Sequence, residues 1–204
     1  MLNLSFLLEK QPRLLSEADA VHSAVISPLI EAEDGYEVLF EKRAEDLIWQ
    51  PGDICFPGGR VENDETTEDA LFRELNEEIM VVPKQIKILG KLDIFSLGNN
   101  RVHPFVGILE GYRDSFSIDE VAEVFRIPLD YFVETEPDVY DFYWKPDLES
   151  DFPFEKIRGG KKYGWRENRQ KMYFYEYDGR VIWGMTAKIL YYFAAEIRSM
   201  NRKE

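Results

Sequence analysis

Apolar residues recur along this chain in two different rhythms, and the rhythm changes where the secondary structure should change. From Ala20 to Ile30 the run AVHSAVISPLI is nearly all apolar, the pattern of a buried strand. EDGYEVLFEKR follows, with an Asp-Gly turn feeding a second strand, so the two read as a hairpin. DICFPGG gives a short strand entering a Gly-Gly turn. Then the period lengthens: Leu71, Phe72, Leu75 and Ile79 share one face of a helix that Thr66 or Thr67 can cap, with Glu68 and Asp69 near its positive end. IKILGKLDIFS and VHPFVGILEGY return to strand, separated by Gly98, Asn99 and Asn100. SIDEVAEVFRIPLDYF reads as a short strand or turn followed by a helix. MYFYEY and RVIWG flank another Asp-Gly, and MTAKILYYFAAEIRSM is an amphipathic helix. Residues 1–20 suggest a further short helix. With no internal repeat, low-complexity stretch or linker, mixed strands and flanking helices predict one α/β layered domain over residues 1–204.

The central helix carries the chemistry. Glu74, Glu77 and Glu78 stand at i, i+3 and i+4 and project from one narrow face. No Lys or Arg at i+4 offsets the repulsion between Glu74 and Glu78. A solvated acidic face is one reading of such a cluster. The other is a hard divalent cation, Mg²⁺ or Mn²⁺, which prefers carboxylate and water oxygens and keeps positions open for substrate phosphate.

Charge and composition narrow the partners. The formal net charge is −14 and the sequence pI is near 4.7, so broad attraction to nucleic acid or to an anionic membrane is not expected. Cys55 is the single cysteine, which excludes an internal disulfide and a thiolate zinc cluster. His22 and His103 are the only histidines and lie far apart in the chain, so both read as structural. No stretch approaches a membrane span and the amino terminus lacks the layout of a signal peptide, so a soluble, cytoplasmic protein is expected. The oligomeric state stays open, a homodimer included.

The spacing of Gly59, Glu65, Arg73, Glu74, Leu75, Glu77, Glu78 and Val81 resembles the Nudix box, Gly-x5-Glu-x7-Arg-Glu-U-x-Glu-Glu-x-Gly-U with U aliphatic. Met80 stands where the family has Gly, which bears on the turn that ends the helix. Upstream, LFEKRAEDLIWQPGDICFPGG resembles the pattern of Nudix enzymes that cleave coenzyme A: Leu39, Arg43, Ala44, Gly52, Phe56, Pro57, Gly58 and Gly59 match, whereas Phe40, Glu41 and Ile48 do not. HPFVG, EVFRIPLDYF and VIWGMTAKIL are also similar to that subfamily.

The resemblance implies an α/β/α sandwich with a mixed central sheet, and hydrolysis of a nucleoside diphosphate linked to another group. For coenzyme A the products are phosphopantetheine and adenosine 3′,5′-bisphosphate. It implies Glu74, Glu78 and Glu77 as metal ligands for Mg²⁺ or Mn²⁺, and Arg73 as the group that orients Glu74 or Glu77. Glu65 would brace the loop, Gly58 and Gly59 would let backbone approach metal or phosphate, and Arg43 would contact substrate. The general base is Glu77, Glu120 or Glu123. ADP-ribose, NADH or a nucleoside triphosphate is the alternative substrate, and a non-catalytic nucleotide sensor the alternative of another class.

Residues 134–171 form an irregular segment of their own. Between Lys156 and Met172 seven basic residues face a single Glu167, giving a local balance near +6 in an acidic chain. It reads either as a solvated loop or as a flap whose Lys161 and Lys162 bind a polyanionic nucleotide.

Overall fold

In the computed structural model residues 19–148 and 151–202 are described, so the helix expected over residues 1–20 lies almost wholly outside the described residues. The chain gathers into two compact units, Met1–Tyr131 and Phe132–Glu204.

The first unit is built on a mixed sheet. Its strands are β1 (Val21–Ala32), β2 (Gly35–Arg43), β3 (Ile54–Cys55), β4 (Gly58–Arg60), β5 (Ile86–Lys91), β6 (Phe95–Leu97), β7 (Asn100–Leu109) and β8 (Val121–Pro128). The order runs β3-β2-β1-β7-β5, with β4 on β1, β6 on β7 and β8 on β2. Among the described residues only β1 and β7 pair in parallel, and the other pairings of this sheet are antiparallel. β1 is buried continuously from Ala24 to Ile30, as its apolar run predicts.

One feature of β1 shapes everything beside it. Ser23, Ala24 and Val25 pair with β4, whereas Leu29 to Ala32 pair with β2. Pro28, which cannot donate to a ladder, falls between the two partners. The sheet therefore divides at this point, and β4 comes in on the side where β2 has turned away. Gly58 and Gly59 were expected in a turn; they lie instead within β4, because the backbone of β1 takes up their hydrogen bonds.

Helix α1 (Thr67–Ile79) covers one face of this sheet. Thr66 is its N-cap: the hydroxyl accepts from the Asp69 amide, and the Asp69 carboxylate accepts in return from the Thr66 amide. Leu71, Leu75 and Ile79 pack against Ala24, Ile26, Ile30, Leu39, Phe105 and Leu109 in one buried cluster. Beyond α1, the segment read as a short strand and a helix is mostly strand: β8 spans eight residues and the helix that follows, α2 (Leu129–Glu134), only six. Pairing of β8 along nearly all of β2 accounts for the difference.

In the second unit β9 (Asp138–Trp144), β10 (Asn168–Tyr177) and β11 (Arg180–Trp183) form an antiparallel sheet in the order β11-β10-β9, and α3 (Gly184–Asn201) packs on β10 and β11. Asp178 and Gly179 both have positive φ, as a tight two-residue hairpin needs. The segment expected to be irregular contains β9 and the first residues of β10. Asp138 and Asp141 interrupt the apolar pattern of DVYDFYW, but its aromatic residues suit a cross-strand partner, and β10 supplies one. Among the described residues no helix is long and apolar enough to cross a membrane.

Met80 resolves the question raised by its place in the box. It adopts φ 54°, ψ 31°, the left-handed conformation that glycine takes without strain, and its amide bonds the Leu75 carbonyl. Side chains other than glycine occupy this region at a cost of roughly 1 kcal/mol. Met80 is half exposed and loses little packing when truncated. Met80→Gly should therefore raise stability by up to about 1 kcal/mol in urea unfolding, and a loss of stability would contradict the left-handed cap.

Candidate active site

Arg73 is the hub of the carboxylate face. Its Nε and Nη2 donate to the two carboxylate oxygens of Glu65 at 2.9 and 3.1 Å, and Nη2 also donates to the Arg60 carbonyl at 2.9 Å. Nη1 donates to Glu74 at 2.8 Å and to Glu77 at 3.1 Å. Arg73, expected to orient Glu74 or Glu77, thus contacts both at once. The same contact sets a cation against Glu74 and Glu77. Hydrogen bonds donated first to Glu65 hold the guanidinium pKa well above its ordinary value. Arg73 in turn holds the Glu65 carboxyl below the usual range, and the Glu62 amide adds a further bond.

Glu78 sits apart from that network. It is buried, and its Oε2 accepts from the Gly58 amide at 2.8 Å. Desolvation pushes its pKa up to about 9, with the neighbouring charge of Glu41 the next cause. Glu41 itself, on β2, is 1% exposed. Its Oε1 accepts from the Cys55 thiol at 3.3 Å, and its Oε2 is buried with no hydrogen-bond partner among the described residues. Burial raises its pKa to about 7, and the charges of Glu120 and Glu74 push the same way. Burial also pushes the Cys55 thiol up, so it serves here as a proton donor and not as a thiolate.

The two glycines are needed for contact. A Cβ on Gly58, whose φ is +136°, would lie 2.2 Å from the Ala24 carbonyl oxygen. On Gly59 it would lie 2.3 Å from the Glu74 carboxylate. At Gly58 only glycine lets β4 lie this close to the β1 backbone, whereas a side chain at Gly59 would push the Glu74 carboxylate aside.

Of the other expected site residues, Glu120 joins this group: its charge acts on Glu41, Glu74 and Glu78, and its carbonyl accepts from the Ala44 amide. The Ser117 amide bonds the Glu78 carbonyl, which ties that loop to the helix end. Glu123 pairs across the ladder with Lys42 and so faces away from Glu41, the next residue along β2. Arg43 lies at the end of β2 beside Glu41 and donates from Nε to the Trp49 carbonyl at 3.3 Å. Lys161 and Lys162 are exposed on a single 3₁₀ turn of the second unit, Lys161 over the Phe154 ring. His22 and His103, far apart in sequence, meet: His22 Nδ1 lies 2.9 Å from His103 Nε2. Their separation along the chain did not anticipate this, because parallel pairing of β1 with β7 closes the distance.

Glu41 is the residue that sequence reasoning passed over, read there only as a mismatch. A signal existed in the alternation: Leu39 faces the core beneath α1, so Glu41 two residues on must face the same way.

A family model described as NUDIX domain matches residues 21–145. The chain belongs to the Nudix family. This family acts on pyrophosphate bonds and generally uses divalent metals. Among curated Nudix proteins, Nudix hydrolase 3 of Caenorhabditis elegans is 36% identical over 61% of this chain and 55% of its own length. The protein named NudL, an uncharacterized Nudix hydrolase of Pectobacterium atrosepticum, is 28% identical over 94% of this chain and 91% of its own. The mouse peroxisomal coenzyme A diphosphatase NUDT7 is 35% identical over 57% of this chain and 50% of its own. The chain thus spans about half the length of the nematode and mouse relatives. Among solved structures, a Nudix hydrolase from M. Smegmatis, RenU, overlays with a TM-score of 0.47 at 18% identity, over 55% of this chain and 73% of that one.

The Nudix carboxylates suit a hard cation by their chemistry: all are oxygen donors, and Gly59 leaves Glu74 a cradle that any Cβ would fill. Among the described residues, however, no three acidic, His or Cys side chains already form a finished ligand cage. Arg73 takes Glu74 Oε1 and Glu77 Oε2, which leaves the second oxygen of each carboxylate to face a cation.

The raised acids set a pH dependence. Glu41 and Glu78 titrate near 7 and 9 when folded against an ordinary 4.5, so folding takes up protons. Their contribution to stability is complete below the ordinary value and is lost as pH rises through the folded ones. In chelator, the urea midpoint should fall from about pH 5 to about pH 9, and Glu78→Gln should flatten that slope. An unchanged slope in the variant would contradict the burial of this charge.

Proposed function

We propose that this chain hydrolyses the diphosphate of a nucleoside diphosphate linked to a second group, with coenzyme A or an acyl-coenzyme A as its substrate and phosphopantetheine and adenosine 3′,5′-bisphosphate as products. The observation that carries the reading is the meeting of two stretches of sequence: the Gly58 amide on Glu78, and the charge of Glu41 on the same Glu78, bring the segment resembling coenzyme A hydrolases onto the carboxylate helix. The name of the mouse relative agrees with it.

Glu74 and Glu78, with Glu77 third, would hold Mg²⁺ or Mn²⁺. When bound, the cation supplies Lewis-acid polarisation of phosphoryl oxygens and a more acidic water. The chain's own residues supply the rest. A water attacks one phosphorus, the bond from that phosphorus to the bridging oxygen breaks, and the water's proton passes to a carboxylate; Glu77 and Glu120 are the candidates. Glu120 is favoured over Glu123 because its charge acts on the buried acids. Arg73 keeps Glu74 and Glu77 apart from one another's repulsion and in place.

A different nucleotide, such as ADP-ribose, NADH or a nucleoside triphosphate, is the second reading. Ile48, where the coenzyme A pattern has Arg, favours it: the residue is 89% exposed and brings no charge. We assign the whole chain to a single enzyme, acting on a small nucleotide in the cytoplasm, in which the basic turn around Lys161 and Lys162 contributes to substrate binding.

Glu78→Gln should lower turnover of coenzyme A at saturating Mg²⁺ by a factor of about 100 or more, read by product mass. Full turnover in that variant would remove Glu78 from the metal site. Faster cleavage of ADP-ribose or NADH than of coenzyme A by the wild type would move the protein to the second reading. Replacing Lys161 and Lys162 together by Ala should raise KM several-fold and leave kcat alone, with a smaller effect on dephospho-coenzyme A, which lacks the 3′-phosphate. Equal losses on both substrates would exclude a role at that phosphate.

A further inference from the structure

We propose that Glu41, on the strand beneath the helix, is itself a carboxylate of the cation site and supplies a ligand oxygen from the sheet side. The inference rests on the cation reading of α1 given above and extends it to a residue outside the box.

Three observations on Glu41 converge. Its side chain emerges on the face of β2 that α1 covers, since Leu39 on the same face packs with Leu71 and Leu75. It is all but inaccessible, yet among the described residues Oε2 has no hydrogen-bond partner, while Oε1 has only the weak thiol donor of Cys55. Buried carboxylate oxygens are almost always paired, and one without a donor marks a place where something else belongs. Finally, two like charges, Glu120 and Glu74, bear on Glu41 beside the larger opposing charge of Arg43, and Glu41 is the largest like charge bearing on Glu78. Arg43 is the opposing charge, and its Nε is already engaged with the Trp49 carbonyl.

A purely structural role fits these facts less well. Two acids sharing a proton would be joined by a hydrogen bond, and Glu41 Oε2 makes none. An acid kept for packing would be replaceable by a neutral residue without consequence for ions. A divalent cation between β2 and α1 satisfies the orphaned oxygen and relieves the repulsion at once.

The test compares the full chain with Glu41→Gln, Glu41→Thr and Glu78→Gln, measuring Mn²⁺ affinity by electron paramagnetic resonance and thermal unfolding in chelator and in Mn²⁺. Both Glu41 variants should bind Mn²⁺ at least tenfold more weakly, melt at the same or a higher temperature in chelator, and show a smaller rise in melting temperature with Mn²⁺. Lower melting temperatures in chelator with affinity unchanged would make Glu41 structural and overturn the inference; Thr serves where Gln does not fold. If Glu78→Gln loses Mn²⁺ and the Glu41 variants do not, only the role of Glu41 falls. If none of the three loses it, the cation reading of α1 falls as well.

Discussion

Like charge buried against a sheet is the constraint on which this molecule turns. Glu78 and Glu41 are withdrawn from water, one on the helix and the other on β2, and each raises the cost of ionising the other. A structure selected for stability alone would put apolar groups in both places, since Leu39, Leu71 and Leu75 next to them show what that environment accommodates. Keeping two acids there makes sense where a multivalent cation completes the site. The surrounding features follow from accommodating it.

Those features form a connected series. Pro28 marks the point where β1 changes partner, β4 enters the opening, and its glycines bring an amide to Glu78 and bare backbone to Glu74. The Thr66–Asp69 capping box fixes the start of the helix, and Arg73 ties the helix face to Glu65 and to the Arg60 carbonyl at the end of β4. Helix and strand are therefore held to each other by the same residues that frame the carboxylates. Separating the fold from the site is not possible in this region.

Much of this was legible from sequence, for stated reasons. The helix, its cap and its three acids follow from a period of 3.6 and a Thr-x-x-Asp start, and β1 follows from an uninterrupted apolar run. What pattern could not reveal depends on partners remote in the chain. Gly58 and Gly59 look like a turn until β1 supplies a ladder; residues 138–144 look irregular until β10 pairs with them; His22 and His103 look separate until β1 and β7 align. Glu41 was visible as a residue but not as a member of the site, because its burial comes from α1 and β3, both contributed by later sequence. Met80 shows the converse: a motif position filled by the wrong residue type still takes the motif's backbone conformation, since the helix must end there.

The most direct test is anomalous diffraction from crystals of the full chain grown with Mn²⁺. The expected result is a peak bound by Glu78 and Glu74, with the Glu41 carboxylate at its sheet side. A saturating concentration that gives no peak there, or a peak confined to the exposed Glu77 with Glu78 and Glu41 unchanged, would contradict it.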